Sequence, residues 1–207
     1  MKIALDHPLF TRIASDLADH GWSQHNIFLP PALTQALALD CKQRAAAGQL
    51  TPAAIGRGIG AQVREGIRGD NIDWVELGQS VPVDSWLELM ECLRQSLNQS
   101  LYLGLEDFEG HFACYPPGAY YKRHMDRFSD DDRRVVSTVL YLNDAWLPDD
   151  GGQLRLYLPG ERVHDVVPTG GAFVAFMAGQ IPHEVLPATR ERRSLTGWLR
   201  RRGELPL

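Results

Sequence analysis

The sequence predicts an α+β fold, with a jelly-roll barrel or related β-sandwich as its core and N-terminal and central helices buttressing one face. Two patterns carry this expectation. Up to about residue 105, apolar residues recur at helical spacing; from His111 onward, short apolar or alternating runs are separated by Pro, Gly and Asp clusters. A third observation sets the scale: 207 residues, 44% of them hydrophobic and 23% charged, suffice to bury one substantial core.

In the helical part, Leu9, Ile13, Leu17 and Ala18 place a helix over Pro8–His20, and Gly21 supplies its stop. Pro31 opens a second helix that carries Leu33, Ala36 and Leu37 and runs toward Gly48. A third is expected to start at about Asp84 as N-cap and to pass through Trp86, Leu87, Met90, Leu93, Leu97 and Leu101 to Gly104. Between the second and third lie glycines at 56, 58, 60, 66 and 69. A phosphate-binding loop is a weak reading of them, because no hydrophobic strand leads in and no helix follows. Short strands joined by a mobile loop fit better.

Strand candidates in the second part are HFACY, RVVSTVLYLN, GQLRLYLP, ERVHDVVP, GAFVAFM and SLTGWLR, with turns at PPGAY, LPDDGG, LPG, PTGG, AGQIP and PATRE. No repeat or low-complexity tract interrupts them. One domain over residues 1–207 is the economical expectation, helical over about 1–105 and jelly-roll over about 108–200.

Composition excludes several classes of function. No apolar run approaches the roughly 20 residues that a bilayer-spanning helix needs, so no membrane partner is expected. Asp6 and His7 fall where an export signal would be apolar. Cys41, Cys92 and Cys114 lie in no CxxC spacing, which points to a reducing, cytoplasmic setting rather than a disulfide scaffold or a thiolate zinc site. A net charge of −5 disfavours a nucleic-acid partner.

Of the seven histidines, His7, His20 and His25 fall among helix ends and turns, where a solvated or locally bonded role is expected, and His164 reads as a strand residue facing water. His124 and Asp126 differ. In an extended chain, residues i and i+2 project to the same side, so both can face one ion. The pattern alone is cheap and needs a third ligand. His183, in QIPHEVLP, is the candidate, since distant strands of a jelly roll return as neighbours. Two imidazoles and one carboxylate with open positions suit non-haem Fe(II). A zinc hydrolase fits worse, because Pro187 stands where a helical HExxH needs its second histidine.

Beyond the turn after His183, the run RRSLTGWL places Arg192, Ser194, Thr196 and Trp198 on one strand face. A buried arginine needs a carboxylate for its rigid donor fork. An internal Asp or Glu would satisfy it. So would a dicarboxylate keto acid that chelates the metal and rests its far carboxylate on Arg192 and Ser194.

These residues resemble the 2-oxoglutarate/Fe(II)-dependent oxygenases, and within them the prolyl hydroxylases of the hypoxia-inducible-factor type, as a compact bacterial member. The similarity runs from about Ala53 to Leu199. It rests on Arg68-Gly69-Asp70 with Trp74, on CYP at 114–116 followed by Tyr121, Arg123, His124 and Asp126, on Tyr141-Leu142-Asn143, on GGQLRLY, on His183-Glu184-Val185 and on RxSLTxW. The resemblance implies the double-stranded β-helix form of the jelly roll. It implies iron on His124, Asp126 and His183, with the 5-carboxylate of 2-oxoglutarate on Arg192 and Tyr141. Tyr115 and Thr196 would line that pocket. Arg68, Asp70, Tyr121, Arg134 and Trp198 would surround a substrate proline, with Trp74 in the substrate-contacting segment, so that about 50–74 forms a substrate loop. It further implies O2 as second cosubstrate, support by ascorbate, and a protein substrate for which elongation factor Tu is the candidate; a monomer is expected.

The leading expectation is therefore prolyl hydroxylation in a protein, with release of succinate and CO2. A small-molecule or free-amino-acid oxygenase keeps the chemistry and changes the substrate. A non-enzymatic jelly-roll binding module would instead satisfy the histidines in the core and pair Arg192 with an internal acid.

Overall fold

The computed structural model describes residues 7–53, 66–127 and 132–203. Helix α1 (Pro8–His20) begins under the His7 ring, whose Nδ1 accepts from the Leu9 N–H, and ends where Gly21 turns to φ 81°. Strand β1 (Trp22–His25) and helix α2 (Pro31–Ala46) follow. Short strands β2 (Thr51–Pro52) and β3 (Asn71–Trp74) flank the glycine-rich segment, as expected; the loop itself, 54–65, lies outside the described residues.

Helix α3 (Val81–Leu101) starts one turn earlier than the sequence suggests. Ser80 is the cap, its Oγ accepting from the Val83 N–H. Asp84 sits inside the first turn and accepts from the Gly78 N–H; there its charge still favours the positive helix end. At the other end the helix stops before Gly104, because Tyr102 already adopts a left-handed conformation at φ 55°.

The strands that follow are β4 (Leu105–Tyr115), β5 (Tyr121–His124), β6 (Arg134–Tyr141), β7 (Leu154–Leu158), β8 (Arg162–Val166), β9 (Phe173–Met177), β10 (His183–Val185) and β11 (Arg192–Arg201). They form two antiparallel sheets. The larger has the order β1-β9-β6-β11-β4-β3-β2 and the smaller β5-β10-β7-β8, which is the jelly-roll arrangement of a double-stranded β-helix. Strand β4 is longer than the HFACY run and β10 is only three residues, too short to carry a periodic signal.

Alternation along the central strands divides the core in two. Phe112, Val136, Leu140, Leu195 and Leu199 face the helices and pack with Phe10, Ile13, Leu37, Trp86, Met90 and Leu93. Ala113, Tyr115, Val139, Tyr141, Val174 and Phe176 face the smaller sheet and meet Leu154, Leu156, Ile181 and Val185. Burying a large apolar side chain contributes about 1.5–3 kcal/mol, so a one-residue register slip, which would exchange these two sets, is strongly opposed. Gly197 enforces the pairing of β11 with β4: a Cβ there would lie 2.6 Å from the Glu109 carbonyl oxygen and 2.3 Å from the Phe108 ring.

His164 does not face water as its strand pattern suggests. Its Nε2 lies 2.7 Å from Gln24 Oε1 and its ring 4.3 Å from that of Trp22, so it ties β8 of the small sheet to β1 of the large one. His25 is locally bonded, 3.0 Å from Ser23 Oγ. Among the described residues no helix is long and apolar enough to cross a membrane.

Candidate metal and cosubstrate site

Between the two sheets opens a cavity of about 560 Å³. Its floor is made by the inward faces of two paired strands. Arg192, Ser194, Thr196 and Trp198 of β11 lie opposite Tyr115, Ala113, His111 and Glu109 of β4. The face predicted from the RxSxTxW alternation is therefore the cavity face.

His124 and His183 are direct partners across the β5–β10 pairing, and Asp126 follows two residues beyond His124 at the end of β5. The three ligand atoms lie within 4.8 Å of one another. His124 Nε2 is 3.5 Å from Asp126 Oδ1, and His183 Nε2 is 3.5 Å from Asp126 Oδ2. Each imidazole uses its other nitrogen on the backbone. Nδ1–H of His124 donates to the Lys122 carbonyl at 2.7 Å, and that of His183 to the Ile181 carbonyl at 3.1 Å. This fixes the tautomer that leaves both Nε2 lone pairs turned to a common point. Tyr121 stacks on His124 at 3.6 Å, and Phe176 stands edge-on to His183 at 4.6 Å.

Electrostatics prepares the same point for a cation. Burial pushes His183 down to about 4, so its imidazole is neutral at pH 7. Burial opposes ionisation of Asp126, but the two imidazoles and the Ser137 hydroxyl outweigh it and hold the carboxyl well below its usual range. An anionic carboxylate beside a neutral imidazole is the pairing of protonation states that a divalent metal requires of such ligands. Ligands about 2.1 Å from an ion at right angles sit about 3 Å apart, so these residues fit Fe(II) with little adjustment.

At the far end of the floor, Arg192 is 2% exposed. Its Nε–H donates to the Gly152 carbonyl at 2.9 Å, and its guanidinium lies 5.0 Å and 5.1 Å from the rings of Tyr115 and Tyr141. Gly152 adopts φ +69°, where a Cβ would press on Ala188 and on the Arg192 side chain. Among the described residues no carboxylate lies within ion-pair distance of Arg192. The Tyr141 hydroxyl is buried without a hydrogen-bond partner among the described residues. A buried guanidinium and an orphaned phenol side by side fit a carboxylate that enters from the cavity.

Thr196 and Tyr115 line the cavity at this end. Tyr141 and Ser194 are fully buried and set back from the wall, and Ser194 Oγ lies 3.3 Å from Thr196 Oγ1. At the opposite mouth stand Trp74, Arg134 and Trp198, with the Arg134 guanidinium 3.4 Å above the Trp198 ring and its Nε–H donating to Glu109 at 3.0 Å. Arg68 and Asp70 form a bidentate pair at 2.5 Å and 2.8 Å in the wall, with Arg68 over the Tyr121 ring. Asp70 is only 3% exposed.

The geometry adds two residues that sequence reasoning passed over. Ser137 donates to Asp126, and His111 lies on the floor opposite Thr196. Both were available in principle: Ser137 shares a strand face with Val139 and Tyr141, and His111 with Tyr115.

Comparison with known proteins agrees with this geometry. The family described as the 2OG-Fe(II) oxygenase superfamily matches residues 110–200. Egl nine homolog 1 of Rattus norvegicus is 33% identical over 141 residues, which are 64% of this chain and 41% of that protein. The chain thus spans about two fifths of that relative. The crystal structure of a Pseudomonas putida prolyl-4-hydroxylase shares 56% identity and a TM-score of 0.87, covering 94% of this chain and 100% of that one. A prolyl hydroxylase from Trichoplax adhaerens, solved with a hypoxia-inducible-factor oxygen degradation domain peptide, shares 27% identity and a TM-score of 0.82 over 93% of this chain and 89% of its own. With its facial His-Asp-His set, its buried arginine anchor and this close structural kinship, the chain belongs to the 2-oxoglutarate/Fe(II)-dependent oxygenases, in their prolyl hydroxylase branch.

Proposed function

We propose that the protein hydroxylates a prolyl residue of a polypeptide, consuming O2 and 2-oxoglutarate and releasing succinate and CO2. The observation that carries the reading is Arg192, a buried guanidinium without a carboxylate partner among the described residues, in the same cavity as the metal triad on the facing sheet. A keto acid with a second carboxylate would engage the triad and Arg192 at once.

Bound Fe(II) would supply the O2 chemistry: one oxygen atom enters the prolyl C–H bond and the other enters succinate as 2-oxoglutarate loses CO2. The chain's own work is positioning and exclusion. Arg192 and the Tyr141 hydroxyl hold the far carboxylate, and Tyr115 and Thr196 flank its carbon chain. His124, Asp126 and His183 fix the metal's face. Trp74, Tyr121, Arg134 and Trp198 form an aromatic and cationic mouth suited to an apolar ring carried between two amides.

A polypeptide rather than free proline is favoured by the indoles of the mouth, and because the carboxylates beside it among the described residues, Asp70 and Glu109, are already engaged, by Arg68 and by Arg134 and Arg200. Elongation factor Tu is the candidate target that the resemblance to compact bacterial members brings, and ascorbate the candidate reductant. The test is intact mass of purified elongation factor Tu after incubation with this protein, Fe(II) and 2-oxoglutarate, with His183→Ala as the control. Gain of one oxygen atom on a proline, lost in the variant, is expected. Turnover of free proline with no polypeptide modified would overturn the reading in favour of a small-molecule oxygenase.

A further inference from the structure

His111 is an anomaly of the cavity floor. It is 1% exposed, and neither ring nitrogen has a hydrogen-bond partner among the described residues. Buried polar atoms are nearly always paired, and two on one ring carry an uncompensated desolvation cost that a phenylalanine or methionine of similar volume would avoid. Packing alone therefore does not account for an imidazole here.

Its position suggests what does. In register His111 is opposite Thr196 on β11 and opposite Trp74 on β3. It lies four residues along the floor from the Tyr115–Arg192 pair, on the side away from the carboxylate anchor. Its ring stands 5.0 Å from that of Trp74 and 5.4 Å from that of Trp198, while those two indoles are 6.5 Å apart. The Trp198 Nε1 is a third nitrogen without a hydrogen-bond partner among the described residues, at the same place. Trp74, by contrast, is 44% exposed at the mouth.

We infer that His111 is a substrate-recognition residue, whose ring nitrogens hydrogen-bond the backbone amide of a polypeptide at its target proline once the chain enters between Trp74 and Trp198. The inference rests on the polypeptide-hydroxylase reading above and names the group that reads the main chain. Burial pushes the His111 imidazole down to about 3, so it stays neutral across physiological pH, with one nitrogen a donor and the other an acceptor. A neutral ring suits a neutral amide: it hydrogen-bonds without leaving a buried charge when the site is empty. The flanking indoles take the apolar prolyl ring, and the Arg192 anchor, four residues along the floor, is untouched.

The experiment uses the Fe(II)-loaded protein with 2-oxoglutarate and a synthetic peptide pool with a fixed central proline and randomised flanks, read by gain of one oxygen atom. His111→Phe keeps a flat ring between the indoles and deletes both nitrogens. A roughly tenfold rise in KM for the pool is expected, as for loss of a hydrogen bond in a site built around it. The KM for 2-oxoglutarate, kcat and melting temperature should hold or, for the last, rise. His111→Gln, which restores an N–H and a C=O, should recover part of the loss. A second measurement needs no variant: in the Zn(II)-loaded, 15N-histidine-labelled protein, adding a turned-over peptide should move the His111 ring-nitrogen resonances. Unchanged peptide KM in His111→Phe, or ring resonances that ignore the peptide, overturns the assignment and leaves the hydroxylase reading standing. A wild-type protein that oxidises no peptide in the pool overturns both.

Discussion

The Ser137 hydroxyl donates a 2.7 Å hydrogen bond to Oδ2 of Asp126, the same oxygen that faces His183 Nε2. Ser137 is fully buried in the centre of β6, two residues from Val139 on the cavity face, so its rotamer is held by packing on both sides. Such a contact orients the carboxylate and keeps it ionised before metal arrives. Ser137→Ala should weaken Fe(II) or Mn(II) affinity by about 10- to 100-fold, with 2-oxoglutarate binding to the metal-loaded protein little changed. The check is the metal-dependent rise in melting temperature, titrated for both proteins. An unaltered metal titration would show that Asp126 is placed by the histidine strands alone.

Arg192 and Tyr141 separate cosubstrate binding from the stability of the free protein. Arg192→Lys replaces a bidentate fork by a point charge and should weaken 2-oxoglutarate binding by on the order of 2–5 kcal/mol. Tyr141→Phe should weaken it less, yet stabilise the unliganded protein, because it deletes a buried hydroxyl that has no hydrogen-bond partner among the described residues. Cosubstrate affinity and urea unfolding, measured on both variants, separate the two effects. Equal affinity for 2-oxoglutarate in Arg192→Lys would move the anchor to another residue.

Much of this site was legible in the chain because period-two alternation decides which side chains share a floor. RxSxTxW needed only that rule to put Arg192, Thr196 and Trp198 in one cavity, and HxD needed only an extended segment. What stayed hidden depended on pairing between strands. Nothing local reveals that His111 faces Thr196 or that His164 crosses to Gln24, since those relations are set by register across long connections. Ser80 was overshadowed by Asp84, because both are good caps and the choice is made by Asp84's bond to the Gly78 N–H. Tyr102 ended α3 early through a left-handed conformation that tyrosine seldom adopts, which no propensity scale anticipates.

Arg68 and Asp70 behave as one unit rather than as two independent substrate contacts. Removing the arginine alone strands a carboxylate that is 3% exposed, and breaking a buried pair this way costs about 3–5 kcal/mol. Arg68→Ala should therefore lower thermal stability, whereas Arg68→Met combined with Asp70→Leu, which removes both charges, should restore most of it. Uncoupled 2-oxoglutarate decarboxylation should persist in the double variant, because neither residue touches the triad or Arg192. Peptide oxidation should fall if the pair shapes the mouth. Equal stability of the single and double variants would show that water reaches Asp70 and screens it.

Acid sensitivity follows from the buried histidines. The folded-state value of His111 is lowered from 6.5 to about 3 by burial, so between those limits the unfolded chain binds a proton that the folded chain refuses. Stability rises with pH wherever the unfolded state holds more protons. The contribution is thus intact above pH 6.5 and is lost as pH falls, at roughly 1.4 kcal/mol per pH unit while the gap persists. His183, lowered to about 4 by burial, adds a second proton with the same sign in the metal-free protein. Asp126 adds to the loss only below about pH 4, where the unfolded carboxyl takes up a proton that the folded one, held well below its usual range, still refuses. His111→Phe should therefore flatten the acid limb of metal-free unfolding by roughly 2 kcal/mol between pH 6.5 and 5, leaving the slope due to His183. Urea midpoints across that interval measure it. Parallel curves for wild type and variant would mean that His111 takes up its proton in the folded state, with water or a counter-charge reaching the ring.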